Sequence, residues 1–245
     1  MYKRQEIRLG IYGNEDPMYI LAGLPFIAPD YSSAWLLKDV QMEYLQEKFD
    51  KKGLMILYTA PWPGQGFYTK FPVNSVSDFS GKKLRIYSTA TQQMGSMLGF
   101  NATILPFAEI PQAFSTGLIE ALFTSPQTGI DIQAWDNTKH FTYAGAIFSK
   151  NAVVVTKKAF NALSKGDQSN MLAAAKKAEL RGWEMSAETT KKQIDILKKN
   201  GMSSKNAPDE VISKMKSIGL EMMKNWRSKA SPEANAVLDR YLSMR

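Results

Sequence analysis

The sequence contains no cysteine and a single histidine, His140, among its 245 residues. Without thiols it cannot form disulfides, cysteine zinc sites or iron–sulfur clusters, and it has no thiolate nucleophile. One histidine makes histidine metal sites and Ser–His–Asp hydrolysis poor candidates, and no G-x-S-x-G motif is present. We therefore predict no catalytic residues, no metal site and no cofactor.

Long apolar runs are also missing. A stretch such as 152–155 falls far short of the roughly 20 residues that a membrane-spanning helix needs. Met1 is followed by Tyr-Lys-Arg-Gln-Glu, without the apolar h-region of a secretory leader. We expect a globular chain in which neither a membrane span nor a leader is part of the given sequence.

The net charge of +8 is unevenly distributed. Residues 1–156 hold 13 Lys and Arg against 13 Asp and Glu, whereas residues 157–245 hold 18 against 10. Clustered cations could bind nucleic acid. The lysines here alternate with acidic residues and lack interleaved aromatics, which favours a solvated helical surface and no nucleic-acid partner.

Short strand and helix signals alternate along the chain, which is typical of an α/β fold. Apolar residues at helical spacing predict a helix over 34–52, and LMILY at 54–58 predicts a buried strand. Residues 60–66 predict a loop at the end of this strand, where α/β sheets bind ligands. Further strands are predicted at 83–87, 102–105, 121–124, 141–148 and 152–156, and helices at 88–98, 108–115 and 130–135.

The C-terminal third predicts mostly helix. Residues 167–200 contain no proline and are followed by Gly201, which predicts one helix of about 34 residues. Its apolar stripe shifts near Gly182 and Trp183, as expected for a strut that crosses between two lobes. The same pattern suits a helix packed on a second copy of the chain, so a homodimer stays an open alternative.

Several sequence blocks together resemble one family, the substrate-binding proteins of tripartite ATP-independent periplasmic (TRAP) transporters. No single block is diagnostic, but their order and spacing match the family over most of the chain. The blocks are Asn14–Pro17, Leu24–Phe26 followed by Tyr31, Pro72–Ser75, Asp78–Arg85, Pro106–Ile110 and Ala113–Glu120.

The resemblance implies a two-lobed α/β fold, like that of periplasmic binding proteins, with a long interlobe helix. Residues 1–61 and 151–183 would form the N-terminal lobe, and residues 62–150 and 184–245 the C-terminal lobe. The implied function is not enzymatic. It is the capture of a small organic carboxylate in the interlobe cleft, with hinge closure and delivery to the TRAP membrane subunits in the periplasm.

The chain departs from the family pattern at several points. The family's first strand, helix and second strand have no counterpart, and Met1–Arg8 is interpreted as a remnant of that region. We therefore expect an incomplete N-terminal lobe. A second family arginine, in the loop after the strand at 54–58, aligns here with Gln65, and a common asparagine aligns with Thr124.

Arg85 is the residue that the resemblance assigns to the ligand carboxylate. A planar guanidinium presents two parallel N–H donors at the spacing of carboxylate oxygens, which strengthens and orients the contact. The alternative is a strand-end arginine paired with a protein carboxylate.

The loop around Trp62 and Gln65 is the second predicted element of the site. Trp62 offers an apolar wall, and Gln65 offers neutral donors and an acceptor, which favours a ligand with one carboxylate. Plain loop packing explains both residues equally well. Further predicted ligand-binding residues, each of which also suits a cap, core or turn role, are Tyr12, Asn14, Tyr87, Ser88, Phe107, Thr124, Ser125 and Asn151.

Two other functions compete with this interpretation. In the first, an α/β enzyme anchors a carboxylate on Arg85 while Glu109 or Asp131 moves a proton. In the second, the basic C-terminal helices bind a structural or nucleic-acid partner, with an affinity that falls steeply with salt.

Overall fold

The computed structural model describes residues 3–245, and the predictions made for Met1 and Tyr2 lie outside this range. The strands are β1 (Arg4–Arg8), β2 (Leu54–Pro61), β3 (Gly66–Thr69), β4 (Lys83–Ile86), β5 (Asn101–Ile104), β6 (Ala121–Thr124), β7 (His140–Tyr143), β8 (Lys150–Thr156) and β9 (Ser203–Asn206). The α-helices are α1 (Tyr31–Lys51), α2 (Thr89–Met97), α3 (Ile110–Ser115), α4 (Pro126–Asp131), α5 (Lys157–Asn161), α6 (Lys165–Lys199), α7 (Asp209–Lys229) and α8 (Pro232–Met244). None of these helices has both the length and the apolar composition needed to cross a membrane.

The first lobe is built on a small antiparallel sheet with the order β1-β8-β2. In the register of β1 with β8, Arg8 lies opposite Asn151 and Glu6 opposite Val153. Side chains alternate between the two faces of a strand, so Glu6 and Arg8 share one face while Ile7 lies on the other. Residues 4–8 of the segment interpreted as a remnant thus form an edge strand of this sheet.

The second lobe is built on a six-stranded mixed sheet with the order β5-β4-β6-β3-β7-β9. β4 runs parallel to β5 and β6, so Arg85 near the end of β4 and Thr124 at the end of β6 lie at the same edge. β3 is antiparallel to β6 and β7 and brings the loop before Gly66 to that edge as well. The order and direction of these strands therefore bring the predicted site residues of this lobe to one edge of the sheet.

The 35-residue helix α6 packs on both lobes. In its first half, Trp183 Nε1 donates a hydrogen bond to Thr59 Oγ1 of β2 at 3.2 Å, and Glu179 accepts from the same threonine at 2.7 Å. In its second half, Gln193 donates to Gln127 of α4 at 2.9 Å. The predicted two-lobed α/β fold with a long interlobe helix is confirmed.

Several local predictions were wrong. The strands β3 and β9 were not predicted, because β3 is read from sequence as a continuation of the Gly-rich loop and β9 is polar throughout. The helix expected at 130–135 begins earlier, since Ser125 caps it and Pro126 occupies its first turn. The strand expected at 141–148 ends at Tyr143, shortly before Gly145 adopts a φ of +60°.

The lobe boundaries predicted from the sequence stay a prediction. Helix α8, which that division assigns to the second lobe, packs against α1, and Tyr241 Oη donates to the carbonyl oxygen of Ile27 at 2.7 Å. We propose that residues 232–244 belong with the first lobe, because their packing partners lie there.

Candidate functional site

A cleft with a volume of about 470 Å³ lies between the edges of the two sheets. The structure brings eight of the eleven predicted residues to its walls: Trp62, Gln65, Arg85, Tyr87, Phe107, Thr124, Ser125 and Asn151. The cleft is also lined by residues that the sequence did not single out as ligand-binding, among them Glu6, Arg8 and Asp131. It therefore contains two guanidinium groups and two carboxylates.

Arg85 is held in the second-lobe wall with only 2% of its surface exposed. Its Nε donates to the carbonyl oxygen of Leu105 at 3.1 Å, and its Nη2 has no hydrogen-bond partner within residues 3–245. Burial, together with the nearby charge of Arg8, lowers the pKa of Arg85 to about 10, so the group is still cationic at neutral pH. No carboxylate of the described chain forms an ion pair with it.

Gln65 is hydrogen-bonded to two other residues at the cleft, Tyr87 and Ser149. Tyr87 Oη donates to Gln65 Oε1 at 2.7 Å, and Gln65 Nε2 donates to Ser149 Oγ at 3.1 Å. Burial raises the pKa of Tyr87 to about 12, which keeps the phenol a neutral donor. The Gln65 oxygen is already engaged, so this side chain positions Tyr87 and has at most one amide hydrogen left for a ligand.

The first-lobe wall is formed by β1 and β8. Asn151 Nδ2 donates to Glu6 Oε1 at 2.8 Å, whereas Asn151 Oδ1 is buried without a partner in the described part of the chain. The Arg8 guanidinium lies 5.6 Å from the centre of the Tyr87 ring, a cation–π contact between the lobes. Glu6 and Arg8, the charged residues of β1 that line the cleft, are exposed to solvent.

Other cleft residues form its apolar or capping parts. Phe107 is 50% exposed and Ile11 is 49% exposed, so each presents an apolar surface beside Trp62. Ser125 is 1% exposed, and its Oγ accepts from the backbone N–H of Thr128 at 3.2 Å. The hydroxyl of Ser125 thus caps α4, as the alternative interpretation of this residue allowed.

The structure does not bring Tyr12, Asn14 and Ser88 to the cleft. In the 3-10 helix Leu9–Tyr12, Ile11 lines the cleft, whereas Tyr12 packs edge-on against Tyr19 beside a cavity elsewhere on this lobe. Asn14 lines a different hollow, next to Trp226. Ser88 caps α2, its Oγ accepting from the Thr91 N–H at 3.2 Å.

Sequence reasoning missed Glu6 and Arg8, which it treated as part of a remnant. The available signal was the run Arg4-Gln5-Glu6-Ile7-Arg8, whose period of two puts residues 6 and 8 on one face of a strand. That signal does not say which face borders a cleft. Within residues 3–245, no cluster of three or more His, Cys, Asp or Glu side chains has the geometry to hold a metal ion.

Known solute-binding proteins are similar to this chain in sequence and in fold. The family model described as bacterial extracellular solute-binding protein, family 7, matches residues 7–229. The chain is similar to an extracytoplasmic solute receptor of Bordetella pertussis binding pyroglutamic acid, with 36% identity, a TM-score of 0.95, and coverage of 98% of this chain and 79% of that one. A TRAP solute-binding protein from an unidentified marine microbe, specific for pyroglutamate, shares 31% identity with a TM-score of 0.93, and the match covers 98% of this chain and 79% of that one.

A curated relative is more distant. A protein of Chromohalobacter salexigens described as a solute-binding protein is 24% identical over 195 residues. The match covers 76% of this chain and 57% of that relative, so the chain spans less than two thirds of its length.

Proposed function

This chain belongs to the bacterial extracellular solute-binding proteins of family 7, and we propose that it captures a small organic carboxylate in the interlobe cleft and delivers it to TRAP membrane subunits. The family resemblance predicted from the sequence blocks is thereby confirmed. The family is extracytoplasmic, and we assign this chain to the periplasm. A homodimer through α6 stays a prediction.

The observation that carries the proposal is the unpaired end of Arg85. A buried guanidinium without a counter-ion is costly, and the cost is relieved when a carboxylate enters and accepts its free N–H groups. Because Nε is committed to Leu105, the carboxylate has access to the Nη side of the guanidinium. The cleft thus supplies a preformed anion site inside the protein.

Closure of the lobes would complete the binding. Arg85 lies on the second lobe, whereas Arg8 and Asn151 lie on the first, so narrowing of the cleft would bring the first lobe closer to a ligand held by Arg85. Exclusion of water then strengthens each polar contact. The free energy of closure must come from contacts that exist only in the closed state.

The binding specificity of the two solved relatives suggests the first ligand to test. Both are described as pyroglutamate-binding, and both share at least 31% identity with this chain. We propose that a small cyclic or branched acid of this kind, with a single carboxylate, is the cargo. The neutral Gln65 in place of the family's second arginine is consistent with one carboxylate and not two.

The test is a thermal-unfolding titration with pyroglutamate and a panel of small carboxylic acids. Wild-type protein should be stabilised by RT ln(1 + [L]/Kd), about 2.7 kcal/mol at a hundredfold excess over Kd. Arg85→Ala should lose this stabilisation while still unfolding cooperatively, and Arg181→Ala, at an exposed arginine of α6, should behave as wild type. Equal ligand stabilisation of Arg85→Ala and wild type would refute the proposal.

The enzyme alternative keeps one supporting observation, since Asp131 lines the same cleft as Arg85. Glu109, the other candidate, lies in the 3-10 turn Phe107–Glu109 and does not line the cleft. Binding of an acid that is recovered unchanged after long incubation supports a receptor. Formation of a product that disappears in Asp131→Asn would support the enzyme.

A further inference from the structure

Two buried polar atoms of opposite kind lack partners in the cleft. Arg85 Nη2 is a donor without an acceptor, and Asn151 Oδ1 is an acceptor without a donor. The first belongs to the second-lobe wall and the second to the first-lobe wall. An unsatisfied buried polar atom is destabilising, so a ligand that forms hydrogen bonds with both atoms gains binding free energy at each of them.

The orientation of the Asn151 amide follows from Glu6. An ionised carboxylate can only accept hydrogen bonds, so the Asn151 NH₂ must point towards Glu6 Oε1, at 2.8 Å. The amide oxygen is then turned away from Glu6. With 9% of the residue exposed, Asn151 has little freedom to turn its amide over.

The surroundings of Asn151 determine which donor fits. Arg8 lies directly opposite Asn151 in the β1–β8 register and shares a strand face with Glu6. An ammonium group of a ligand would be attracted by Glu6 but repelled by Arg8. An uncharged N–H or O–H group avoids the repulsion by Arg8. A second ligand carboxylate would be attracted by Arg8 but repelled by Glu6 and by the unpaired amide oxygen, which would still lack a donor.

We infer that the cleft selects carboxylic acids that also carry an uncharged hydrogen-bond donor, and that the Glu6–Asn151 pair recognises this donor. This inference rests on the function proposed above. Arg85 holds the acid group, and Asn151 Oδ1 accepts from the N–H or O–H at the other end. Glu6 is a positioning residue, because it acts by fixing the asparagine amide. A site built for a donor rejects an isostere without one, since its acceptor is then left unpaired.

The experiment compares ligands that differ only in the donor. Pyroglutamate is paired with its lactone, 5-oxotetrahydrofuran-2-carboxylate, in which a ring oxygen replaces the N–H, and glycolate is paired with fluoroacetate, in which a fluorine replaces the hydroxyl group. Calorimetric titration of the wild-type protein should give an affinity at least tenfold higher for the donor member of the pair that fits the cleft. The donor-free member should still bind, and this residual binding should depend on Arg85.

Two variants test the assigned residues. In Glu6→Ala no carboxylate holds the NH₂ of Asn151, so either the oxygen or the NH₂ of this amide can face the ligand, and the ratio of the affinities for the donor and donor-free ligands should fall towards one. Glu6 is exposed, so this variant should fold. Asn151→Leu removes the acceptor itself and should abolish the preference by a second route.

The outcomes separate the two proposals. If donor and donor-free acids bind equally well, the inference is wrong and the receptor function stands. If the preference exists but survives both Glu6→Ala and Asn151→Leu, the assignment to this pair is wrong. If no member of either pair binds to the wild-type protein, the receptor function itself fails for this ligand class, and the inference fails with it.

Discussion

The two walls of the cleft differ in how firmly their charged residues are held. Arg85 of the second lobe is 2% exposed and fixed by a hydrogen bond to Leu105, whereas Arg8 of the first lobe is exposed on an edge strand. The second wall therefore presents a preset anchor. The first wall presents charges that solvent screens until the lobes approach each other.

The comparison shows that the burial of an arginine determines how strongly it can interact with an anion. A buried guanidinium retains an unrelieved desolvation cost, which an incoming anion can offset, while an exposed one is already solvated by water. We expect the second wall to dominate affinity. The first wall should contribute specificity and a smaller, salt-dependent attraction.

The substitution Gly66→Ala tests the rigidity of the second wall, and we expect it to have the largest effect on stability. An alanine Cβ at this position would collide with the carbonyl oxygen of Thr142 and would lie 2.9 Å from the Cα of Tyr143. Backbone atoms of a central strand cannot move aside, so we expect a loss of about 3 kcal/mol of unfolding free energy. Denaturant unfolding measures this loss. A variant as stable as wild type would show that the second wall is not rigid.

A buried cation in the first lobe provides the next test. Lys150 is 6% exposed and donates to Gln41 Oε1 at 2.6 Å, and burial, together with nearby Lys38, lowers the pKa of Lys150 to about 7. Between pH 7 and about 10 the folded protein binds fewer protons than the unfolded chain, so stability should rise with pH in this window. At pH 6 the free energy of unfolding of Lys150→Met should exceed that of the wild type, and this difference should shrink by about 2–3 kcal/mol between pH 6 and pH 9. Denaturant unfolding at the two pH values measures the difference.

The comparison variant is Lys214→Met, at an exposed lysine of α7. Its difference from wild type should stay constant over the same pH range. A constant difference for Lys150→Met as well would mean that Lys150 titrates in the folded protein as it does in the unfolded chain.

Arg8→Gln compares the two arginines directly. Because Arg8 is exposed, we expect its loss to weaken ligand binding by at most about fivefold, or about 1 kcal/mol, with a smaller effect at high salt. Arg85→Gln should cost far more at any salt concentration. Calorimetry at low and high salt measures both, and equal losses would show that the walls do not differ as proposed.

The smallest effect concerns the helix that bridges the walls. Gly182 lies in the middle of α6, and a Cβ added there would meet no atom within 4 Å. Gly182→Ala should therefore stabilise the protein by about 0.5–1 kcal/mol through helix propensity. A destabilised variant would indicate that the helix needs flexibility at this point.

Local signals predicted a large part of the fold. The strand at 121–124 was predicted with its observed bounds, and the long helix with an error of about two residues at its start. Such segments can be predicted because their apolar runs and capping residues lie close together in the sequence. The polar strand β9 carries no such signal, since it is defined by its parallel pairing with β7, some 60 residues earlier in the chain.

The candidate site was predictable to a different degree. The family resemblance pointed to Arg85, and the structure then showed that its Nη2 is buried and unpaired. Glu6, by contrast, acquires its role from Asn151, which lies 145 residues away in sequence. No spacing rule connects two such residues, because their proximity depends on how β1 pairs with β8.

The amino-acid sequence alone established the absence of cysteine, the α/β pattern and the long helix, because these depend on composition or on short-range periodicity, and it indicated the family through the order and spacing of several sequence blocks. The packing of distant segments settled the rest: which arginine is buried, which glutamine is already engaged, and which asparagine oxygen is left free. Burial and hydrogen-bond satisfaction are properties of the assembled walls. They therefore come into existence only when strands far apart in the chain meet at the cleft.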